Sequence, residues 1–184
     1  LFWVLALFWV IRYPSTSGWA PVGVRVLMGY AVLLPVWIAF GELKSWGLST
    51  ELILMLLLLV WAADVGAYFA GKSLGKNKLA PSVSPGKTRE GLYGGLLSCV
   101  LVGVGFAFWF ELDGQSLVYL VLLSVVTGMI SVLGDLFESM LKRHQGMKDS
   151  SQLLPGHGGI LDRMDSLTAA APLFVLGVQF VTLN

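Results

Sequence analysis

The chain alternates between long apolar runs and polar segments. Apolar runs lie at about residues 1–11, 24–40, 52–70, 91–110, 116–134 and 167–183. Most of them approach the roughly 20 residues that an α-helix needs to cross the hydrocarbon core of a bilayer. The pattern therefore predicts an all-α, polytopic integral membrane bundle with about six transmembrane helices in this chain. The first run begins at Leu1 without an initiator Met, so we interpret it as a truncated helix that further N-terminal helices precede in a longer chain.

The composition agrees with a membrane protein. Hydrophobic residues make up 56% of the chain and charged residues only 12%, whereas soluble domains contain roughly 25% charged residues. The mean hydropathy is +0.78. The formal net charge is only +1, which gives no indication of a nucleic-acid partner.

Basic residues are distributed unevenly between the predicted loops. The loops at 12–25, 71–90 and 135–166 fall on one side of the membrane and contain all of the 12 Lys and Arg residues except Lys44. Because cytoplasmic loops retain Lys and Arg, this side is predicted to be cytoplasmic. We expect one transmembrane domain over residues 1–184, with functional cytoplasmic loops at about 71–90 and 135–166 that approach anionic lipid headgroups.

Asp64 lies inside an apolar helix, in the segment 61–71 (WAADVGAYFAG). An acid at the centre of a membrane helix costs about 2.5 to 3.5 kcal/mol on insertion scales, so a compensating environment is expected. One interpretation is a snorkelling acid, or one paired with a Lys of the next loop. The other is the polar wall of a water-filled site, with Gly66, Ala67 and Gly71 allowing a neighbouring helix to approach closely.

The segment 84–91 (SPGKTREG) precedes a membrane helix and contains a GKT triplet. A nucleotide-binding P-loop requires Gly five residues before Gly86, where this chain has Pro81, so that interpretation is rejected. We predict a turn fixed by Pro85 and Gly86, with Lys87 and nearby hydroxyl groups beside a helix N-terminus that attracts phosphate. The alternative is an ordinary capped helix with an acid in its first turn.

A third charged cluster begins where the fifth apolar run ends. If the helix continues, Asp135, Glu138 and Lys142 share one face at i, i+3 and i+7, and Asp162 and Asp165 form a second pair before the last run. Close carboxylates repel by about 4 kcal/mol per pair at an effective dielectric constant near 20, which a shared cation would offset. Oxygen ligands favour Mg²⁺. The alternative is a solvated helix face supported by i, i+4 pairs.

A Gly-rich turn lies between these acids at 154–160 (LPGHGGI), and its amide groups are candidates for phosphate contact. His144 and His157 are 13 residues apart without a nearby cysteine, which is weak support for zinc. Cys99 is the single cysteine of the chain and is interpreted as a buried packing residue.

The segment from Ser139 to Asp165 resembles the signature of the phosphatidate cytidylyltransferases, also called CDP-diacylglycerol synthases. The matching residues are Ser139, Lys142, Arg143, Lys148, Asp149, Pro155, His157, Gly158, Gly159, Asp162, Arg163 and Asp165. Segments 61–71 and 84–91 are also similar to this family, so the resemblance covers about residues 60–170.

The resemblance implies that CTP and phosphatidate react to give CDP-diacylglycerol and pyrophosphate at the cytoplasmic face of a bacterial inner membrane. It implies Mg²⁺ held by Asp135 and Asp162. Asp165 is either a third ligand or a residue that supports a ligand without binding the metal itself, and a second cation is left open. Lys148 joins these acids as a catalytic candidate. The expected substrate-binding residues are Asp64, Ser84, Lys87, Thr88, Lys142, Arg143, His157, Gly158, Gly159 and Arg163.

Two other functions are left open. An ion-coupled transporter would use Asp64 in a pathway at the membrane midplane, although the charged residues concentrate at one face. A lipid or polyprenol kinase of similar topology would transfer the γ-phosphate of a nucleotide. A homodimer is also left open, because Gly91 and Gly95 permit close helix contact, although contact within one chain is the commoner use of such pairs.

Overall fold

The structure, a computed structural model, describes residues 1–153 and 158–181. This part of the chain forms six α-helices and one two-stranded hairpin. In chain order these are α1 (Phe2–Arg12), α2 (Val22–Ser45), α3 (Ser49–Leu74), β1 (Lys78–Ala80), β2 (Ser84–Thr88), α4 (Arg89–Trp109), α5 (Gly114–His144) and α6 (Leu161–Val178). Helices α2 to α5 are long and apolar enough to cross a membrane. The predicted polytopic helical membrane bundle is confirmed, although among the described residues four helices, and not about six, are long and apolar enough to span a membrane, because α1 has only 11 residues and α6 is less apolar.

Helix α5 extends ten residues beyond the predicted end of its apolar run and ends at His144. The condition for placing Asp135, Glu138 and Lys142 on one helix face is therefore met. The helix ends in Lys142, Arg143 and His144, and cations in the last turn interact favourably with the helix dipole. Because α6 begins at Leu161, the predicted loop 135–166 is shorter, and both of its ends are helical.

Helices α3 and α4 approach each other through small residues. A Cβ atom added to Gly91 would lie 2.8 Å from the carbonyl oxygen of Ala67, and one added to Gly95 would lie 2.6 Å from that of Ala63. A side chain at either position would therefore push the two backbones apart. The prediction that these small residues allow close helix packing is confirmed, and the contact of Gly91 and Gly95 lies within the chain.

The apolar core lies among α2 to α6 and includes Cys99, which is fully buried. Its Sγ atom lies 3.6 Å from the carbonyl oxygen of Leu59 on α3, and a Cβ atom on Gly128 of α5 would lie 2.5 Å from the same sulfur. Cys99 is a packing residue at the meeting point of three helices, as predicted.

The β1–β2 hairpin is absent from the sequence prediction. The expected turn at Pro85 and Gly86 is wrong, because both residues lie within β2, and the chain turns at residues 81–83, closed by a hydrogen bond from Val83 N to Ala80 O. The strands are antiparallel with an irregularity after Lys78. Pro85 is compatible with β2 because edge strands and bulges tolerate the loss of a backbone donor.

The hairpin is fixed to α4 at both ends. Thr88 is the N-cap of α4 and its Oγ1 accepts a hydrogen bond from Gly91 N at 3.1 Å. The carboxylate of Glu90 accepts bonds from Lys76 N at 3.2 Å and from Asn77 Nδ2 at 2.7 Å. The capped-helix interpretation is thus confirmed, because Thr88 caps α4 and Glu90 lies in its first turn. Glu90 also holds the segment that leads into β1.

Candidate active site

The hairpin brings Lys87 against Asp135 on α5. The Nζ atom of Lys87 lies 2.5 Å from Oδ2 of Asp135, and each side chain keeps about a quarter of its surface exposed, 24% and 25%. The other carboxylate oxygen accepts a hydrogen bond from Ser139 Oγ at 3.1 Å. Two residues 48 positions apart, from two predicted motifs, therefore form one ion pair. We call this end of the bundle, which comprises the β1–β2 hairpin, the C-terminal ends of α3 and α5 and the start of α6, the polar end.

This ion pair faces a cavity of about 340 Å³ between α3, the hairpin, α4 and α5. That volume lies at the lower end of the roughly 300–1,000 Å³ found for small-molecule sites. We call it the hairpin cavity; its polar lining side chains are Asp64, Tyr68, Lys72, Lys87, Thr88 and Asp135. The glycines Gly71, Gly86 and Gly91 complete its wall, so backbone lies against the space where a ligand would bind.

Asp64 opens into the hairpin cavity from α3 and is exposed there. Lys87 and Asp135 are close enough to act on it electrostatically. Among the described residues no basic side chain lies within ion-pair distance of Asp64. The polar wall of a site is therefore the interpretation that its position favours, because a water-filled cavity would offset the cost of placing an acid in a membrane helix.

A second acid–base cluster joins α5 to the start of α6. The Nζ atom of Lys142 lies 2.6 Å from Oδ1 of Asp162 and 3.3 Å from Oε1 of Glu138. The Lys142 and Asp162 side chains are only 14% and 8% exposed. Such a buried pair depends on the presence of both partners, because either charge alone would be left uncompensated.

Asp162 also holds the segment that connects the two helices. Its carboxylate accepts hydrogen bonds from Ser150 N and Ser150 Oγ, both at 2.9 Å, and from Gly159 N at 2.6 Å. Burial opposes ionisation of Asp162, but the bonds from Lys142, Gly159 and Ser150 outweigh it and hold the pKa of its carboxyl well below its usual range. The carboxylate is thus charged and saturated with donors.

Asp165 stands between the two clusters, one helical turn after Asp162 and before the apolar part of α6. It is half-buried and its Oδ1 accepts a bond from Ser166 N at 2.7 Å. Burial, followed by the negative charge of Asp135, raises the pKa of Asp165 to about 6. Two carboxylates from different helices therefore repel each other here, and the charges of Lys142 and Lys87 partly compensate this repulsion.

The donor set around Asp135 fits Mg²⁺ bound together with a phosphate ligand. Among residues 1–153 and 158–181, no group of three or more His, Cys, Asp or Glu side chains is arranged to hold a metal ion. Mg²⁺ commonly takes only one or two protein carboxylates and completes its octahedron with water and substrate phosphate. Asp135 and Asp165, whose charges act on each other, are candidates for such a pair, whereas Asp162 would first have to give up hydrogen bonds. The assignments of Asp135, Asp162 and Asp165 as ligands all stay predictions.

Arg143 braces two loops. Its Nε donates to Val83 O in the hairpin turn and its Nη1 donates to Met147 O, both at 3.3 Å. The guanidinium group thereby connects the end of α5 to the hairpin that carries Lys87.

The remaining predicted residues are placed as follows. Ser84 begins β2 and is half-buried, and Thr88 is buried at the cavity wall with its oxygen used in the α4 cap. Lys148 and Arg163 are exposed. Gly158 has φ +79°, and a Cβ there would lie 2.8 Å from Oδ2 of Asp162, so it belongs to the Asp162 cluster together with Gly159. The predictions for Pro155 and His157 lie outside the described residues.

Sequence reasoning missed two residues of the hairpin cavity, Tyr68 and Lys72. The Nζ atom of Lys72 lies 3.4 Å from the hydroxyl of Tyr68. A signal was available, because Asp64, Tyr68 and Lys72 are spaced at i, i+4 and i+8 and so occupy one face of α3. In the sequence, Lys72 is explained equally well as one of the basic residues of a cytoplasmic loop.

Comparison with known proteins identifies the family. A family model described as the cytidylyltransferase family matches residues 1–181, so the chain belongs to this family. It is 47% identical over 175 residues to the phosphatidate cytidylyltransferase of Pseudomonas aeruginosa, covering 95% of this chain and 65% of that protein. It is 45% identical over 191 residues to the enzyme of that name from Haemophilus influenzae, covering 97% and 66%.

A third relative, the phosphatidate cytidylyltransferase of Bacillus subtilis, is 43% identical over 171 residues, covering 92% of this chain and 62% of that protein. The chain therefore spans slightly less than two thirds of the length of these three relatives. The family resemblance seen in the sequence is confirmed.

Proposed function

We propose that the protein transfers the cytidylyl group of CTP to phosphatidate, giving CDP-diacylglycerol and pyrophosphate. The observation that carries the proposal is the Lys87–Asp135 pair at the wall of the hairpin cavity, at the end of a membrane-spanning bundle. The names of the three relatives support the same reaction. A site for these two substrates must bring together a soluble polyanion and a lipid phosphate, so it belongs where polar side chains meet membrane helices.

The hairpin cavity is assigned to the triphosphate of CTP. Lys87 and Lys72 line it from the hairpin and from α3, and ammonium groups neutralise phosphate as point charges. The lining glycines, including Gly86, allow phosphate oxygens to lie close to the backbone. In this proposal Lys87 exchanges Asp135 for a phosphate oxygen when the nucleotide binds.

The reaction is a single displacement at the α-phosphorus of CTP. An oxygen of the phosphatidate phosphate forms the new P–O bond, the bond between the α-phosphorus and its bridging oxygen to the β-phosphorus breaks, and pyrophosphate leaves with that electron pair. Phosphate monoesters lose their second proton near pH 6, so the nucleophile is largely ionised at neutral pH without a strong base. The contribution of the protein is then mainly positioning and charge stabilisation.

Mg²⁺ is the proposed cofactor, with Asp135 and Asp165 as its first protein ligands. When bound, it would neutralise the charge that develops on the departing pyrophosphate. The mutual repulsion of these carboxylates supports this choice. Asp64, which faces the same cavity, is available for its water molecules or for a second cation.

The site is proposed to face the cytoplasm of a bacterial inner membrane. All Lys and Arg residues except Lys44 fall in or near the segments of the polar end, as the positive-inside rule requires for a cytoplasmic face. The charge of CTP opposes its passage through a bilayer, so the site must open to the side of the membrane that supplies the nucleotide.

The test is label transfer by the full-length protein in detergent micelles with phosphatidate and Mg²⁺. With CTP labelled at the α-phosphorus, we expect label in the lipid product and one pyrophosphate per product, and neither when phosphatidate or Mg²⁺ is omitted. Label that enters the lipid only from γ-labelled nucleotide would identify a kinase instead. Folded protein that transfers neither label would exclude the proposed reaction.

A further inference from the structure

We propose that a second cavity, between α2, α5 and α6, binds phosphatidate. The part of an acyl chain next to the headgroup would lie in this cavity, and Arg25 would bind the lipid phosphate. This cavity, here called the α2 groove, has a volume of about 140 Å³. The inference rests on the proposed function, since it assigns where one of the two substrates docks. None of the residues assigned above to the hairpin cavity lines it.

Three helices supply the walls of the α2 groove. From α2 come Arg25, Met28, Gly29, Val32 and Leu33, from α5 Gly134, Phe137, Glu138 and Leu141, and from α6 Leu161 and Thr168. The α2 residues follow the spacing i, i+3, i+4, i+7 and i+8, so one helix face lines the groove over about 12 Å at 1.5 Å per residue. A cation stands at one end of this face and apolar side chains occupy the rest.

The groove opens at the surface of the described bundle. Leu33 and Leu161, which line it, are 47% and 46% exposed, and both belong to the surface of the membrane bundle. Its volume is below the roughly 300 Å³ of small-molecule sites, which excludes an enclosed nucleotide. An acyl chain that enters from the side fits both the size and the apolar lining.

Arg25 carries a charge that the described part of the chain does not neutralise. Its Nε atom is buried and donates no hydrogen bond, and no carboxylate among residues 1–153 and 158–181 lies within ion-pair distance. Arg25 also lies in the first turn of α2, which contains no acidic residue. A cation there opposes the helix dipole, so both features favour an anion at this end of the groove.

A phosphate monoester with acyl chains satisfies both halves of the groove at once. The guanidinium group presents paired donors that match phosphate oxygens, while the chain packs on Met28 and Val32. Glu138 also lines the groove, and Lys142, which it approaches at 3.3 Å, is shared with Asp162 at 2.6 Å, so the attraction for a dianionic headgroup comes from Arg25. A lipid without this charge gains only the apolar contact.

The groove lies next to the proposed reaction site. Gly134 lines the groove and Asp135, the next residue of α5, lines the hairpin cavity. Lipid and nucleotide would thus reach α5 from different sides. Capture at Arg25 is then a docking step, which affects the KM for phosphatidate more than kcat.

The first test replaces Arg25 with Gln in the full-length protein and varies the phosphatidate fraction of mixed micelles. Loss of a charge-assisted bond predicts a roughly tenfold or larger rise in the KM for phosphatidate, with the KM for CTP unchanged within about twofold. Arg12→Gln is the matched control, because Arg12 lies over the Phe8 ring and does not line the groove. Equal KM values for Arg25→Gln, Arg12→Gln and wild type would overturn the proposal.

The second test fills the groove. A Cβ atom on Gly29 would meet nothing within 4 Å, so Gly29→Leu is expected to fold and to occupy the space of the acyl chain, which raises the KM for phosphatidate. Gly23→Leu lies on the same helix, has equal room and does not line the groove. An equal KM in the two variants would contradict acyl binding here.

Photo-crosslinking separates this inference from the proposed reaction. A photoreactive phosphatidate is expected to label peptides of α2, α5 and α6 in the full-length protein, less so after Gly29→Leu, and more than phosphatidylcholine with the same chains. This outcome is independent of turnover. Label that is equal for both lipids, or unaffected by Gly29→Leu, would overturn the docking site, whereas absent cytidylyl transfer with selective labelling would overturn only the reaction.

Discussion

The two acid–base clusters of the polar end use the same residue types, but they differ in how exposed the ion pair is and in how many hydrogen bonds its carboxylate accepts. In the first, Lys87 and Asp135 are each about a quarter exposed and face the hairpin cavity. In the second, Lys142 and Asp162 are 14% and 8% exposed, and Asp162 accepts further bonds from Ser150 and Gly159. One pair faces a space for a ligand, and the other is closed by its own surroundings.

This difference indicates separate roles for the Lys87–Asp135 and Lys142–Asp162 pairs. A partly exposed ion pair contributes little to stability, about 0–1 kcal/mol, so its members can exchange partners at small cost. Removing one member of a buried pair is much more costly. Asp135 is therefore the better placed of the two acids to meet a metal or phosphate, and Asp162 is the better placed to hold Ser150 and Gly159 between α5 and α6.

The largest expected effect is on Asp135. Asp135→Asn removes the charge opposite Lys87 and a proposed metal ligand, so we expect cytidylyl transfer to fall by at least about 100-fold, comparable to loss of a key transition-state contact. The thermal unfolding midpoint should stay close to wild type, because the pair is partly exposed. Asp113→Asn, at the other end of α5, is the matched control and should retain activity. If Asp135→Asn kept more than a tenth of wild-type activity, the assignment of Asp135 to the active site would be wrong.

Asp162→Asn should instead reduce stability. Loss of the charge leaves Lys142 without its closest partner in a buried position, which we expect to cost about 3 kcal/mol. Thermal unfolding in detergent, compared with Asp135→Asn and Asp113→Asn, measures the difference. Proteolysis within 145–160 should become faster. If the thermal unfolding midpoint of Asp162→Asn were unchanged and its activity no longer depended on Mg²⁺, Asp162 would be supported as a metal ligand and the roles proposed for Asp135 and Asp162 would be exchanged.

Sequence patterns predicted the helical membrane bundle because a 20-residue apolar run has few alternative structures in a bilayer. They also selected Lys87, Asp135 and Asp162, but spacing along the chain could not distinguish an acid that faces a cavity from one saturated with donors. That distinction depends on contacts across long separations, such as Lys87 with Asp135. The hairpin was missed because strands of three and five residues carry too little periodicity to compete with the Pro–Gly turn signal.

Arg143 extends the comparison because it connects the hairpin that carries Lys87 to the end of α5. Arg143→Gln removes its bonds to Val83 O and Met147 O, which should loosen the hairpin and reduce kcat by roughly tenfold, as is usual for residues that orient a ligand-binding group. Arg143→Lys keeps the charge but loses the forked geometry, so it should be nearly as impaired. Full activity in Arg143→Lys would favour direct phosphate contact, as the sequence predicted. Arg89→Gln, an exposed position, serves as the control for charge alone.

The smallest effect is expected at Lys72, which lines the same cavity as Lys87 but, among the described residues, pairs only with Tyr68. Its Nζ atom lies 3.4 Å from the Tyr68 hydroxyl and 5.6 Å from the centre of that ring, and the side chain is exposed. Exposed charges contribute at most about 1 kcal/mol, so Lys72→Gln should raise the KM for CTP about two- to fivefold and leave kcat unchanged. The effect should shrink at high salt. Lys44→Gln, at the opposite end of the bundle, should leave the KM for CTP unchanged; if it raised that KM equally, the effect of Lys72 would reflect net charge and not the hairpin cavity.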